Sequence, residues 1–249
     1  MRNKIVTCLL YLVFVSICSC KTQSKTVDNN FSNSEGILFD LKTRGYDIDF
    51  NKRNGMETYV SISPTTKINS HDMKLICSLP NLNRIRIQGI LIPDTFIKDL
   101  ENCSLANLKS IRLDEVKFNA KLLCSINADR FFHGGITFLN TSLDDDGLNC
   151  LNGIQISENF TLYGSNEKFT EAGLCDFIHS GISIKRVYLF HLSLSEKAFG
   201  CLADLQGVEH FGFKKIKGRS ANDMKKLEDL YFKKNGRKVH VDVFEYDSP

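Results

Sequence analysis

The chain has 249 residues, of which 42% are hydrophobic and 24% charged, a balance that supports a buried core and excludes a wholly disordered chain. Its formal charge is +3. Removing residues 1–19 takes away Arg2 and Lys4 and nothing acidic, which leaves +1, too little to direct the molecule to nucleic acid or to an anionic membrane surface.

At the N-terminus, Arg2 and Lys4 precede an apolar run from Ile5 to Ile17 that is too short and too rich in cysteine for a spanning helix. The run closes on Ile17-Cys18-Ser19-Cys20 and turns polar at Lys21. An aliphatic residue three before a cysteine and a small residue directly before it resemble a bacterial lipobox. The resemblance implies a lipoprotein signal peptide over residues 1–19 and lipidation of Cys20. Acyl chains such as palmitate would then hold the protein on a membrane, each buried methylene contributing about 0.8 kcal/mol. The alternative is an ordinary secretory signal cleaved nearby, and both readings export the protein. Residues 20–35 continue with one aromatic among Ser, Thr, Asn and Lys, and so read as a flexible tether.

Residues 36–58 begin with apolar positions at helical spacing (Ile37, Leu38, Leu41). Tyr46-Asp47-Ile48-Asp49-Phe50 then alternates like a strand. This segment reads as an N-terminal cap on the body of the chain.

From residue 59 to 217 the chain repeats. Ile85 and Ile87 are followed five residues later by Ile92. Ile111 and Leu113 are followed by Phe118, and Ile136 and Phe138 by Leu143. Phe160 and Leu162, Val187 and Leu189 with Leu194, and Phe211 and Phe213 continue the beat, and Val60, Ile62 and Ile68 give a weaker first copy. Two inward side chains in period two, a turn, a third inward residue and a helix account for each unit. A second marker keeps the same time. Cys77, Cys103, Cys124, Cys150, Cys175 and Cys201 recur at 26, 21, 26, 25 and 26 residues. Residues 218–249 close the array with a helix from Ser220 and a strand at Lys238-Val239-His240-Val241.

This pattern resembles the leucine-rich repeat, LxxLxL followed by a turn and a helix. Thr141-Ser142-Leu143-Asp144-Asp145-Asp146-Gly147-Leu148 and Phe169-Thr170-Glu171-Ala172-Gly173-Leu174 are similar to the helix start of the ribonuclease-inhibitor-like and cysteine-containing classes. What the resemblance implies is an α/β solenoid with a parallel concave sheet and convex helices. The chain departs from the family in lacking the asparagine after most strands and in the short 21-residue unit.

Helices packed about 8–10 Å apart exceed the roughly 7 Å limit between Cα atoms for an unstrained bridge, so the cysteines read as buried free thiols, with disulfides or metal as the alternatives. No CxxC or CxxH pair occurs, and the six histidines fall in different units as turn or surface residues. Asp144-Asp145-Asp146 reads as a helix cap. No Walker loop, G-x-S-x-G, H-E-x-x-H or EF-hand pattern occurs, so the reading is of a non-enzyme without cofactor or metal.

What remains is the concave face, built from the residues flanking each inward pair. Arg84, Arg86 and Arg112 would gather near its N-terminal half. Leu139, Tyr163, Tyr188 and Phe190, with Arg186 beside them, would form an apolar stripe in the C-terminal half. Tyr and Arg are frequent anchors of interfaces. The expectation is an envelope lipoprotein whose concave face binds a protein or a surface polymer. A structural or assembly spacer competes with it. A secreted eukaryotic repeat protein is a further alternative, since Asn140-Thr141-Ser142 and Asn159-Phe160-Thr161 are glycosylation sequons.

Overall fold

The computed structural model describes residues 35–51, 57–63, 70–79, 81–93, 95, 99, 108–119, 123–124, 134–153, 156–164 and 168–244. Cys20 and the leader lie outside the described residues.

Every strand forms where apolar and polar residues alternate, and the nine described strands build one open sheet in sequence order. They are β1 (Asp47–Asn51), β2 (Glu57–Ile62), β3 (Leu82–Gln88), β4 (Ser110–Asp114), β5 (Gly135–Leu139), β6 (Asn159–Tyr163), β7 (Arg186–Phe190), β8 (His210–Lys214) and β9 (His240–Val243). β1 runs antiparallel to β2, and every later neighbour is parallel. The described helices are α1 (35–43), α2 (Ser70–Cys77), α3 (Asp145–Cys150), α4 (Glu171–His179), α5 (Glu196–Leu202) and α6 (Ala221–Asn235), and from β5 onward they alternate with the strands. The protein is therefore an α/β molecule with a mostly parallel, open sheet.

The inward side chains stack from strand to strand. Ile85, Ile111, Ile136, Phe160, Val187, Phe211 and Val241 share one register column. All are buried, and each contributes about 2 kcal/mol of apolar burial. The helices close over this face. Phe177 of α4 packs on Phe160 at 5.1 Å, Phe199 of α5 on Phe213 at 5.5 Å, and Tyr231 of α6 on Phe211 at 5.9 Å. The opposite face of the sheet carries none of these helices.

One backbone device recurs at the end of the strands. Glu115, Asn140, His191 and Lys215 have φ of 54°, 50°, 59° and 50°, and Gly89 and Gly164 take the same left-handed place. Each left-handed N–H of Gly89, Glu115, Asn140, Gly164 and His191 donates to the last carbonyl of the neighbouring strand, at 2.6–3.0 Å. The turn thus adds one rung to the sheet before the chain leaves it. The next residue dives into the core: Val116, Thr141, Leu192 and Ile216 are all buried. Thr141 occupies an apolar column, and its hydroxyl has no hydrogen-bond partner.

Helix starts are equally regular. Asp144, Thr170, Ser195 and Ser220 each accept from a backbone N–H three residues on, the capping role expected of Asp144. The residue after the cap then reaches across to the next helix. Asp145 accepts from the Thr170 N–H at 2.6 Å and its hydroxyl at 2.8 Å, and Glu171 accepts from the Ser195 N–H at 2.6 Å. Hydrogen bonds from Ser195 hold the Glu171 pKa below the usual carboxylate range. Gly173 is required here, because a Cβ at that position would collide with the Asp145 carboxylate.

The cysteines correct the expectation of free thiols. Cys124 is bonded to Cys150 and Cys175 to Cys201, with Cα atoms 4.5 and 5.5 Å apart, and Cys77 is disulfide-bonded as well. A spacing of about 8–10 Å separates helix axes, whereas Cα atoms stand about 2.3 Å off their axes. Cα atoms on facing sides therefore approach to roughly 4–5 Å, within reach of a bridge. The error lay in treating an axial distance as an atomic one.

Before β2, Arg44 and Tyr46 meet across Asp72, a fully buried carboxylate of α2. Arg44 Nη1 donates to it at 2.6 Å and the Tyr46 hydroxyl at 3.0 Å. Burial and this carboxylate push the Tyr46 pKa upward. At the other end, α6 begins with a capping box and stops at left-handed Gly236. Its Tyr231 hydroxyl accepts from the Val208 N–H at 3.0 Å, and its Lys225 and Glu228 hold the Val241 backbone.

Candidate functional site

The outward residues of β3–β9 form two differently built fields on the face opposite the described helices α4–α6. In the first, Arg86 and Arg112 are register partners, and Arg84 lies beside Ser110. Both register-paired arginines turn onto Asp114, whose side chain is only 2% exposed. Arg86 Nη2 reaches it at 2.6 Å and Arg112 Nε at 2.7 Å. Burial opposes the Arg86 charge, but Asp114 and the Tyr59 hydroxyl more than offset it and raise its pKa. Arg84 is exposed and points to no carboxylate among the described residues. The three arginines are thus neighbours, yet two of them are engaged by an internal acid.

The second field is aromatic. Tyr163 and Phe190 are register partners with ring centroids 6.0 Å apart and planes at 76°. Tyr188 lies 6.0 Å from Phe190, and Phe244 lies 5.8 Å from Phe190 at 80°. Three histidines extend the chain of rings: His191 on Tyr163 at 4.7 Å, His210 on Tyr188 at 5.5 Å, and His240 on His210 at 5.4 Å. Tyr163, Tyr188 and Phe190 are half-buried, and Phe244 is 41% exposed. Such pairs contribute about 0.5–1.5 kcal/mol each beyond area burial. Gly212 makes room for the row. A methyl there would collide with the Tyr188 ring and come within 3.1 Å of Phe244.

Leu139 is half-buried between the two fields, in register with Asp114 on one side and Tyr163 on the other. Arg186 is exposed at the edge of the aromatic field, beside Asn159 and His210. Asp242 lies 3.0 Å from His240 and 3.4 Å from His210. Burial lowers the His210 pKa, His240 and Arg186 act in the same direction, and Asp242 opposes them.

All the sequence-predicted candidates with described structure lie on this one face, but they do not form one cluster. Arg84 and Arg186 stand four strands apart, roughly 19 Å. The sequence reading missed His191, His210 and His240 as members of the row, and also Phe244. Carrying the in–out alternation from Val241 to its neighbours would have placed His240, Asp242 and Phe244 outward. It missed the arginine-holding role of Asp114 as well, although a carboxylate two residues after Arg112 was the available signal.

A groove of about 860 Å³ lies off the sheet, at the strand ends, lined by Leu91, Lys117, Phe118, Asn140, Thr141 and Lys168 among others. It contains none of the predicted candidates. Among the described residues no group of histidine, cysteine and carboxylate side chains forms a metal cage, and no helix is long and apolar enough to cross a membrane. No protein-family model and no curated protein matches the chain.

Proposed function

We propose that this chain is a non-catalytic leucine-rich-repeat lipoprotein of a bacterial envelope, held through Cys20, whose uncovered sheet face binds a partner. The observation that carries this reading is the continuous row of Tyr163, Phe190, Tyr188 and Phe244 on the face opposite the helices. Partly exposed, linked aromatic rings on a sheet face are typical of interfaces. The repeat class is supported by the in-register parallel strands, the left-handed residue after them and the cap at each helix start. The disulfides suit an exported, oxidising location.

The partner reading is tested by crosslinking pull-down with the native chain and with a Tyr163→Ser, Tyr188→Ser, Phe190→Ser variant whose thermal unfolding remains cooperative. Loss of the crosslinked species is expected, and undiminished capture would overturn the reading. The anchor is tested by metabolic labelling with a palmitate analogue, which Cys20→Ala should abolish. A second reading, an envelope spacer, is favoured by the rings packing on one another at 76° and 80°, an arrangement that stabilises a sheet without any ligand.

A further inference from the structure

Over β3–β9 the face opposite the described helices has an asymmetric charge. On β3–β9, Arg84, Arg86, Arg112, Arg186 and Lys214 are outward, against the carboxylates Asp114 and Asp242, while Asp47 and Asp49 of β1 stand in register with Ser61 and Tyr59 at the N-terminal edge. Asp114 is enclosed by two arginines, and Asp242 faces two histidines. Arg84 and Arg186 are exposed and have no carboxylate partner among the described residues. Both occupy the first outward position of their strands, whereas Tyr163 and Phe190 occupy the third. The charged line and the apolar line are therefore offset along the strands by four residues, about 13 Å.

The ring geometry separates two classes of occupant. A polysaccharide binds aromatic residues by laying successive sugar faces on flat platforms. Here Phe190 stands nearly perpendicular to Tyr163 and to Phe244 and is tilted 40° from Tyr188, so it is coplanar with none of these three neighbours. Such a surface is corrugated, and it fits a bulky side chain lodged between rings better than a glycan lying across them.

We infer that the occupant is an acidic polypeptide segment with one bulky apolar anchor. The anchor seats among Tyr163, Phe190 and Phe244, and flanking carboxylates reach Arg186 and Arg84. The inference rests on the proposed role of the uncovered face as a binding surface. Arginine pairs carboxylates bidentately, and an exposed pair of this kind weakens with salt.

The test is selection of a displayed random 12-residue peptide library on the full chain, beside an oligosaccharide array probed with the same protein. Enriched peptides are synthesised and titrated by fluorescence polarisation against the native chain, Phe190→Ser, Phe190→Leu and Arg186→Glu. Phe190→Leu keeps the core side of the sheet unchanged and serves where the serine variant fails to fold. The expected result is enrichment of acidic peptides carrying a Trp, Phe, Leu or Met. Phe190→Ser should weaken them about tenfold. Arg186→Glu should weaken them several-fold at low salt and little at 0.5 M salt. Enrichment of basic or neutral peptides, no enrichment at all, or an oligosaccharide whose binding depends on Phe190 would overturn the polypeptide inference and leave the face as a binding surface. Peptides that bind all variants equally would overturn both.

Discussion

The arginine field on β3–β4 and the aromatic field on β6–β9 occupy the same face of the same sheet, yet they satisfy their side chains in opposite ways. Around Asp114 the polar groups are consumed internally: one buried carboxylate engages two guanidinium groups, and only Arg84 is left over. Around Phe190 the rings lean on one another, but Phe244 still exposes 41% of its surface. The lesson is that a row of charged residues read from sequence can be self-neutralised, whereas a row of rings covers itself only in part. The aromatic field therefore keeps apolar surface open to solvent, whereas the arginine field settles most of its charge on Asp114.

Several substitutions would break or sharpen that contrast. The largest effect is expected behind the aromatic field, where Cys175→Ser with Cys201→Ser removes a bridge closing 26 residues and costs about 3 kcal/mol in urea unfolding. Next comes Asp114→Asn, which strands two guanidinium groups that are 31% and 46% exposed. Partial solvent screening limits the cost to about 2 kcal/mol, and binding at the aromatic field should be unchanged. Between the two fields, Thr141→Val removes an unpaired hydroxyl from a column that holds Val116 in the preceding unit. It should stabilise the chain by about 1 kcal/mol, read as a rise in Tm. A paired test then compares left-handed positions. Glu115→Gly relieves backbone strain on the arginine side and should gain about 1 kcal/mol. His191→Gly relieves the same strain but loses the Tyr163 ring contact, and should gain less than half as much.

The smallest effect is a pH slope confined to the aromatic side. The His210 pKa is lowered in the folded chain, chiefly by burial, with Arg186 and His240 beside it and Asp242 opposing. The unfolded chain then takes up the proton first. Stability should fall as pH drops below about 6.5, through the window down to the folded value, and level off beneath it. His210→Asn should flatten that slope in denaturation midpoints measured from pH 8 to pH 5. An unchanged slope would place the titration elsewhere.

How far this could be read in advance differs from residue to residue. The inward pairs were legible because Ile85 and Ile87, and each later pair, alternate with polar neighbours in period two, and burial leaves that pattern little choice. The outward register came from the same alternation, which is why Tyr163, Tyr188 and Phe190 lie where expected. Bridge formation was not legible, because it depends on where cysteines sit around a helix circumference. The left-handed turns at Glu115, His191 and Lys215 were also hidden, since these residue types do not announce positive φ as glycine and asparagine do. Asp114 follows Arg112 by two residues on the outward side of β4, and nothing local marks it as buried. Arg86 arrives from the adjacent strand and, with Arg112, encloses it.

The pairing of cysteines across neighbouring units carries a mechanical consequence. Cys124–Cys150 and Cys175–Cys201 weld units two by two, while the seam between the welded pairs is held without a covalent link between Cys150 and Cys175, by strand pairing, core packing and the hydrogen bonds of Asp145 to Thr170. Under load applied to its ends, the chain should yield at that seam first. Each welded loop of 26 residues should then withhold about 90 Å of contour length from extension until its bridge is reduced. A force–extension trace taken before and after adding a reductant would show this difference as longer steps.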